Sequence, residues 1–298
     1  MSLIRRLIVL GFALVLFAGC NMPVDSTPTP PVFTTPNATM TALFKTPQVN
    51  VVTPTFAPLN TATPRPPRIT PDLPTPTAVP LVRLIGRVEA VYFASPPAID
   101  ADWNDYTSQE YAAEIVVYGL SKWTDRNDLV GSFRLGWDSD NLYIGVKIRD
   151  EKYVQNAAGE QLFKGDSLEI ILDSDLESDF SSTSLSSDDY QLGISLGKPK
   201  AGENREAYLW FPTGKAGSKT SVKIAAVRDD SQGITRAEFA IPWSLFGIMP
   251  GVGDRFGFAL SISDNDDTAN NAQQSMVSSA KTRNLADPTT WGELLLGK

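Results

Sequence analysis

Histidine is absent from the 298 residues, and cysteine occurs once. The first absence removes Ser-His-Asp and Cys-His catalysis, every histidine general base and every imidazole metal ligand. The second excludes an intrachain disulfide. Carboxylates, lysine, tyrosine and serine are the groups left for chemistry. Charge is scarce along residues 21–80, which hold only Asp25, Lys45, Arg65, Arg68 and Asp72 beside 15 Pro and 14 Thr. Such a segment cannot bury enough apolar surface to offset its ordering entropy, so a disordered stalk is expected there. Its prolines favour polyproline II at about 3.1 Å per residue, a reach of up to ~190 Å.

The first 20 residues read as an export signal. Arg5 and Arg6 precede the apolar run Leu7–Phe17, which ends in Phe17-Ala18-Gly19-Cys20. Eleven apolar residues suit a signal-peptide h-region, whereas a membrane span needs about 20. Small residues before cysteine resemble a bacterial lipobox, which implies acylation of Cys20 and a lipid anchor on an extracytoplasmic, surface-exposed protein. The alternative is ordinary cleavage nearby that leaves Cys20 free.

Residues 81–298 carry 21 Lys plus Arg against 32 Asp plus Glu, a net charge near −11. That balance argues against nucleic acid and anionic membranes as partners and leaves neutral polymers and cations. The membrane is expected to be reached only through the N-terminal lipid. Apolar alternation predicts strands over 87–93, 113–117, 132–137, 142–149, 167–172, 190–196, 207–211, 221–227, 234–241, 254–263 and 291–296. Turn residues separate them, as in Asp138-Ser139-Asp140-Asn141 and Pro250-Gly251-Val252-Gly253. Trp243–Phe246, after Pro242, suits a single helical turn. Many short strands with regular turns imply an all-β sandwich or barrel.

Seven segments recur in a recognisable order: Ile99–Trp103, Leu135–Tyr143, Lys164–Asp173, Ala237–Trp243, Gly253–Phe258, Asp264–Asp266 and Asp287–Gly292. Together they resemble carbohydrate-binding module family 9 and its DOMON-like relatives across nearly all of 81–298. The resemblance implies a jelly-roll-like antiparallel β-sandwich, often with structural calcium, one ion of which is the expectation here. It also implies a non-catalytic sugar site in which two aromatic rings sandwich a saccharide among polar groups. Sugar rings stack their C–H faces on aromatics and need fixed partners for their hydroxyls. By motif position, Phe163 stands at the first aromatic, with Lys164, Glu169, Gln191 and Asp150 as polar members. The second aromatic belongs before the Trp291 motif, yet no Phe, Tyr or Trp lies between Ile262 and Thr290.

Trp103, Trp137, Trp243 and Trp291 fall inside the fold signature and are expected in the core. Trp123 and Trp210 fall outside it and are candidate sugar platforms, with Tyr208 sharing a strand face with Trp210. Asp264, Asp266 and Asp267 are candidate calcium ligands, as are Asp173, Asp175, Glu177 and Asp179. Solvated turn aspartates are the alternative for both groups. The leading expectation is therefore a monomeric surface lipoprotein that binds poly- or oligosaccharide and assists polysaccharide degradation. The runner-up is a structural or protein-binding domain with a degenerate sugar site. Two-carboxylate glycoside hydrolysis needs no histidine, but abundant acids make chance pairs common. Haem is not expected, since its axial ligands would have to come from residues such as Met249 and Met276.

Overall fold

The computed structural model describes residues 81–198 and 203–298, within the unit Pro74–Lys298. The expected signal peptide, Cys20 and the stalk lie outside the described residues.

Alternation builds two facing sheets. In the first, β10 (Lys223–Asp229), β11 (Ile234–Pro242), β5 (Asn141–Asp150) and β4 (Leu129–Trp137) pair in that order, with β2 (Tyr111–Ala113) on the far side of β4. In the second, β14 (Gly292–Leu296), β12 (Arg255–Asp264), β6 (Ser167–Asp173), β7 (Asp189–Ser195), β8 (Glu206–Phe211) and β9 (Gly217–Ser218) follow one another. β13 (Ser275–Ser278) joins β12, and β3 (Ile115–Tyr118) joins β13. β1 (Val88–Tyr92) ties the two sheets together, pairing with β14 through its first half and with β4 through its second.

Inward residues from both sheets form one core. Leu142, Ile144, Val146 and Ile148 of β5 and Ala237, Phe239 and Ile241 of β11 face Leu168, Ile170 and Leu172 of β6 and Leu192 and Ile194 of β7. Phe133 of β4 meets Phe258 of β12 across the interface, ring centroids 6.3 Å apart, both rings sealed from solvent. Trp137, Trp243 and Trp291 are buried as expected, each with its indole N–H donating to a backbone carbonyl: Gly297, Asp138 and Asn284 respectively. Trp103 is half-buried in a smaller cluster with Tyr106 and Tyr143, beneath the Arg134 guanidinium.

Two features depart from the expectation. The sandwich is antiparallel except at β1, whose two pairings are parallel. A parallel pair needs a long crossover, and the intervening chain supplies it. The strand β13 escapes the alternation rule because its Ser-Met-Val-Ser is buried at every position. Its serines are satisfied by hydroxyl bonds, Ser275 to Asp264 at 3.0 Å and Ser261 to Ser278 at 3.0 Å. Trp243–Phe246 forms the single helical turn, closed by left-handed Gly247 at φ 73°. Among the described residues no helix is long and apolar enough to cross a membrane.

Since Phe258 joins the sheets, Phe258→Ala in the full chain is expected to cost about 3–5 kcal/mol. Denaturant unfolding followed by tryptophan fluorescence measures it, and a loss under 1 kcal/mol would show that the two sheets are not held by this contact.

Candidate functional site

The outer face of the second sheet carries an open cleft of about 690 Å³. Its walls come from strands far apart in the sheet. Trp210 stands on β8, Gln191 on β7, Glu169 on β6, Met276 on β13 and Tyr118 on β3, while Phe163 comes from the 3-10 segment Gly159–Lys164. Leu162 pins that segment, fully buried beneath it. Gln155 Nε2 donates to the carbonyls of Leu162 and Asp166, and Gly159 N–H donates to Glu206. The Trp210 indole N–H donates to the Glu160 carbonyl at 2.8 Å, which fixes the ring. That ring lies over Gly193, where any Cβ would collide with it. Phe163 meets Trp210 edge-on at 6.1 Å, and Tyr208 meets it at 5.9 Å.

The polar floor is an ordered triad. Gln191 Nε2 donates to Glu169 at 2.7 Å, and Arg283 forms an ion pair with the same carboxylate. Burial lowers the Arg283 pKa to about 10. Arg283 lies on the loop that Trp291 holds through Asn284. Gln273 also lines the cleft and donates to Ser263.

The structure brings four of the predicted residues together: Phe163, Glu169, Gln191 and Trp210. Lys164 is not among the lining residues; its ammonium sits 5.9 Å from the Phe163 ring centroid. Asp150 is a correction, because it lies elsewhere. Its β5 position is the last of the strand, and its carboxylate is buried against Arg228 at 3.4 Å. Trp123 packs against the core, donates to the Leu129 carbonyl and does not line the cleft. Tyr190 is a core residue.

Asp150 belongs to an acidic group. Carboxylate oxygens of Asp150, Asp264 and Asp266 lie within 4.8 Å of one another, and Asp266 is shared with a second group formed by Asp128 and Glu151. One oxygen each of Asp264 and Asp266 is buried with no hydrogen-bond partner. An all-oxygen set with orphaned carboxylate oxygens fits a hard divalent cation such as calcium. Asp267 is a second correction: its carboxylate caps the turn, accepting from Ala269 N–H and the Asn270 amide, outside the group. Burial pushes Asp264 up to about 8 and Asp150 up to about 6, the latter despite Arg228. Of the other predicted acids, Asp173 and Asp179 meet at a group with Asp188, whereas Asp175 and Glu177 stay outside it. There Arg83 supplies positive charge, 3.6 Å from Asp173 with both side chains buried.

Residues 97–298 match the family model described as carbohydrate family 9 binding domain-like. The chain belongs to that family. Two carbohydrate-binding modules of family 9 from Caldicellulosiruptor kristjanssonii are similar to it in structure. One was solved with cellotriose (TM-score 0.51) and the other with glucose (TM-score 0.53), each at 21% identity. The matches cover 71% of this chain and 93% and 96% of theirs, and they carry the β-sandwich fold. No curated protein matches the chain.

Within this family 9 domain the cleft residues missed by sequence reasoning include Tyr118, Gln273, Met276 and Arg283. The segment between Ile262 and Thr290, which lacks an aromatic, contributes Arg283, Asn284 and Leu285 instead. The open aromatic ring comes from β3: Tyr118 is 53% exposed. β3 reaches the cleft only because it pairs with β13, a strand without an apolar signal.

The buried acids set a pH dependence. Asp264, Asp150, Asp173 (about 7) and Asp189 (about 6) all have folded values above the ordinary carboxylate range. The folded state therefore binds more protons than the unfolded chain between about pH 4 and pH 8, and stability falls as pH rises through that window. In chelator, the melting temperature of the full chain is expected to be several degrees lower at pH 8 than at pH 5. A flat or rising profile would contradict the buried acidic groups.

Proposed function

We propose that the cleft of the second sheet binds a poly- or oligosaccharide without catalysing its cleavage. The observation that carries this reading is the edge-on pair Phe163–Trp210 beside the Glu169–Gln191–Arg283 triad, in an open cleft whose far margin holds the exposed Tyr118 ring. A sugar ring laid on Trp210 or Tyr118 gains C–H to π contact. Gln191 and Arg283 keep donors, and Glu169 an acceptor, at fixed positions for hydroxyls without any reorganisation on binding. Tyr118 takes over, from a different strand, the part that a second aromatic before Trp291 would play. The cello-oligosaccharide and glucose carried by the two similar modules make β-glucans the first ligands to test.

The cation that the Asp150–Asp264–Asp266 group fits is calcium, and its part is structural: it neutralises buried carboxylates at the ends of β5 and β12. Cys20 carries a lipid, the Thr/Pro-rich segment 21–80 acts as a stalk, and the domain works outside the cell as an accessory to polysaccharide degradation. The family, a carbohydrate-binding one, supports a non-catalytic role.

Affinity electrophoresis of the full chain through gels containing β-glucan is expected to show retardation. Trp210→Ala and Tyr118→Ala each weaken it by about tenfold or more, in line with roughly 1–3 kcal/mol per stacking ring. Absence of retardation by any neutral glycan, with capture of a cell-envelope protein instead, favours the protein-binding reading. Calcium at about 1 mM is expected to raise the melting temperature at pH 8 and to flatten part of the slope found in chelator. No thermal shift would remove the calcium site. Cys20→Ser is expected to move the protein from the membrane fraction to the soluble one and to abolish labelling with a fatty-acid analogue.

A further inference from the structure

Both walls of the cleft are fastened to the acidic group formed by Asp150, Asp264 and Asp266. One wall is the 3-10 segment that carries Phe163. Asp166 follows that segment in the chain, and main-chain donors take both of its buried carboxylate oxygens. Oδ2 accepts from Val154 N–H. Oδ1 accepts at 2.9 Å from the N–H of Asn265, the residue between Asp264 and Asp266. The Gln155 amide then donates to the carbonyls of Asp166 and Leu162, at 3.0 and 3.1 Å, next to Phe163.

The other wall is β13 with β3. Asp264 Oδ2 accepts from the Ser275 hydroxyl at 3.0 Å, and the Asp264 carbonyl accepts from Gln274 N–H at 2.8 Å. The residues on either side of that pair, Gln273 and Met276, both line the cleft. Gln273 donates to Ser263 Oγ at 2.7 Å, and Met276 pairs with Tyr118. Residues 265–274 thus form a loop that is closed at one end on Asp166 and at the other on Asp264.

Closing this loop brings like charges together. Carboxylate oxygens of Asp150, Asp264 and Asp266 lie within 4.8 Å of one another, and Asp264, 1% exposed, keeps Oδ1 without a hydrogen-bond partner. Carboxylates this close repel strongly where water is excluded. Arg228 answers Asp150, at 3.4 Å. A divalent cation in the group replaces the repulsion with attraction and favours the closed loop. A saccharide that needs both walls in place favours the same state. Two ligands that favour one state strengthen each other's binding by equal factors. None of the three acids lines the cleft, so the effect passes through the protein and involves no contact between cation and sugar.

We propose that the cation held by Asp150, Asp264 and Asp266 controls saccharide affinity in the cleft, acting through Asp166 and Gln155 on the Phe163 wall and through Ser275 on the Tyr118 wall. The proposal rests on the reading of the cleft as a saccharide site and adds its regulation. Asp166, Gln155 and Ser275 are positioning residues, since they reach the saccharide only through others.

The test is affinity electrophoresis of the full chain in β-glucan gels, with about 1 mM calcium or with chelator. It is run at a temperature where tryptophan fluorescence shows the protein folded in both, so that loss of fold does not imitate loss of affinity. Calcium is expected to tighten glucan binding at least about fivefold, within the usual range of coupling between sites. Saturating soluble β-glucan oligosaccharide is expected to tighten calcium binding by the same factor, measured by competition with a chromophoric chelator. Gln155→Leu and Ser275→Ala, each cutting one connection, are expected to halve the calcium-to-chelator affinity ratio or better. Equal glucan affinity with and without calcium, in a protein that binds both, overturns the coupling and leaves the cleft reading standing. An undiminished ratio in both variants overturns the assigned route. Absence of glucan binding in either condition removes the cleft reading and this proposal with it, and absence of calcium binding removes this proposal alone.

Discussion

The closure of two sheets over one apolar core is the constraint on which everything else rests. A strand has only two faces, and here one face of each central strand is sealed by Phe133, Phe258 and the Leu, Ile and Val residues around them. β1 locks the arrangement by pairing with β4 of one sheet and β14 of the other. Whatever binds must therefore use the two outer faces or the strand ends. The candidate cleft lies on one outer face, and the acidic group sits where β5 and β12 terminate.

Each of these places shows a different solution to the cost of burying or crowding charge. In the cleft, Glu169 is buried but held by Gln191 and Arg283, so the triad is ordered before any ligand arrives. At the strand ends, Asp264 and Asp266 keep orphaned oxygens and depend on protons or a cation to relieve their mutual repulsion. In the third acidic group an arginine, Arg83, performs that neutralisation internally. On the first sheet, Lys147 and Arg236 stand directly across from each other at the exposed surface, with the Asp229 charge acting on Arg236.

The positions of most strands were legible because β4, β5 and β11 alternate apolar and polar residues beside clear turns. β13 was not, since its buried serines are satisfied by hydroxyl bonds to Asp264 and Ser261, which linear pattern cannot register. Phe163, Glu169, Gln191 and Trp210 were legible as site members, the first three by motif position and Trp210 by falling outside the fold signature. Tyr118 and Arg283 were not, because they reach the cleft through the pairing of β3 with β13 and through the loop that Trp291 anchors. Asp150 was read as a sugar contact by motif position, yet burial beside Asp264 and Arg228 puts it in the acidic group.

By itself the sequence determined the chemical inventory and the local periodicity: no imidazole, one cysteine, an acidic domain and strands with assignable inward faces. Those follow from composition and from a two-residue repeat, both properties of contiguous chain. Only the tertiary structure decided which outward residues become neighbours: Tyr118 with Trp210's cleft, Asp150 with Asp264, Lys147 with Arg236. Alternation tells which side of a strand a residue faces, but strand order and register decide what stands beside it, and those are set by packing between segments distant along the chain.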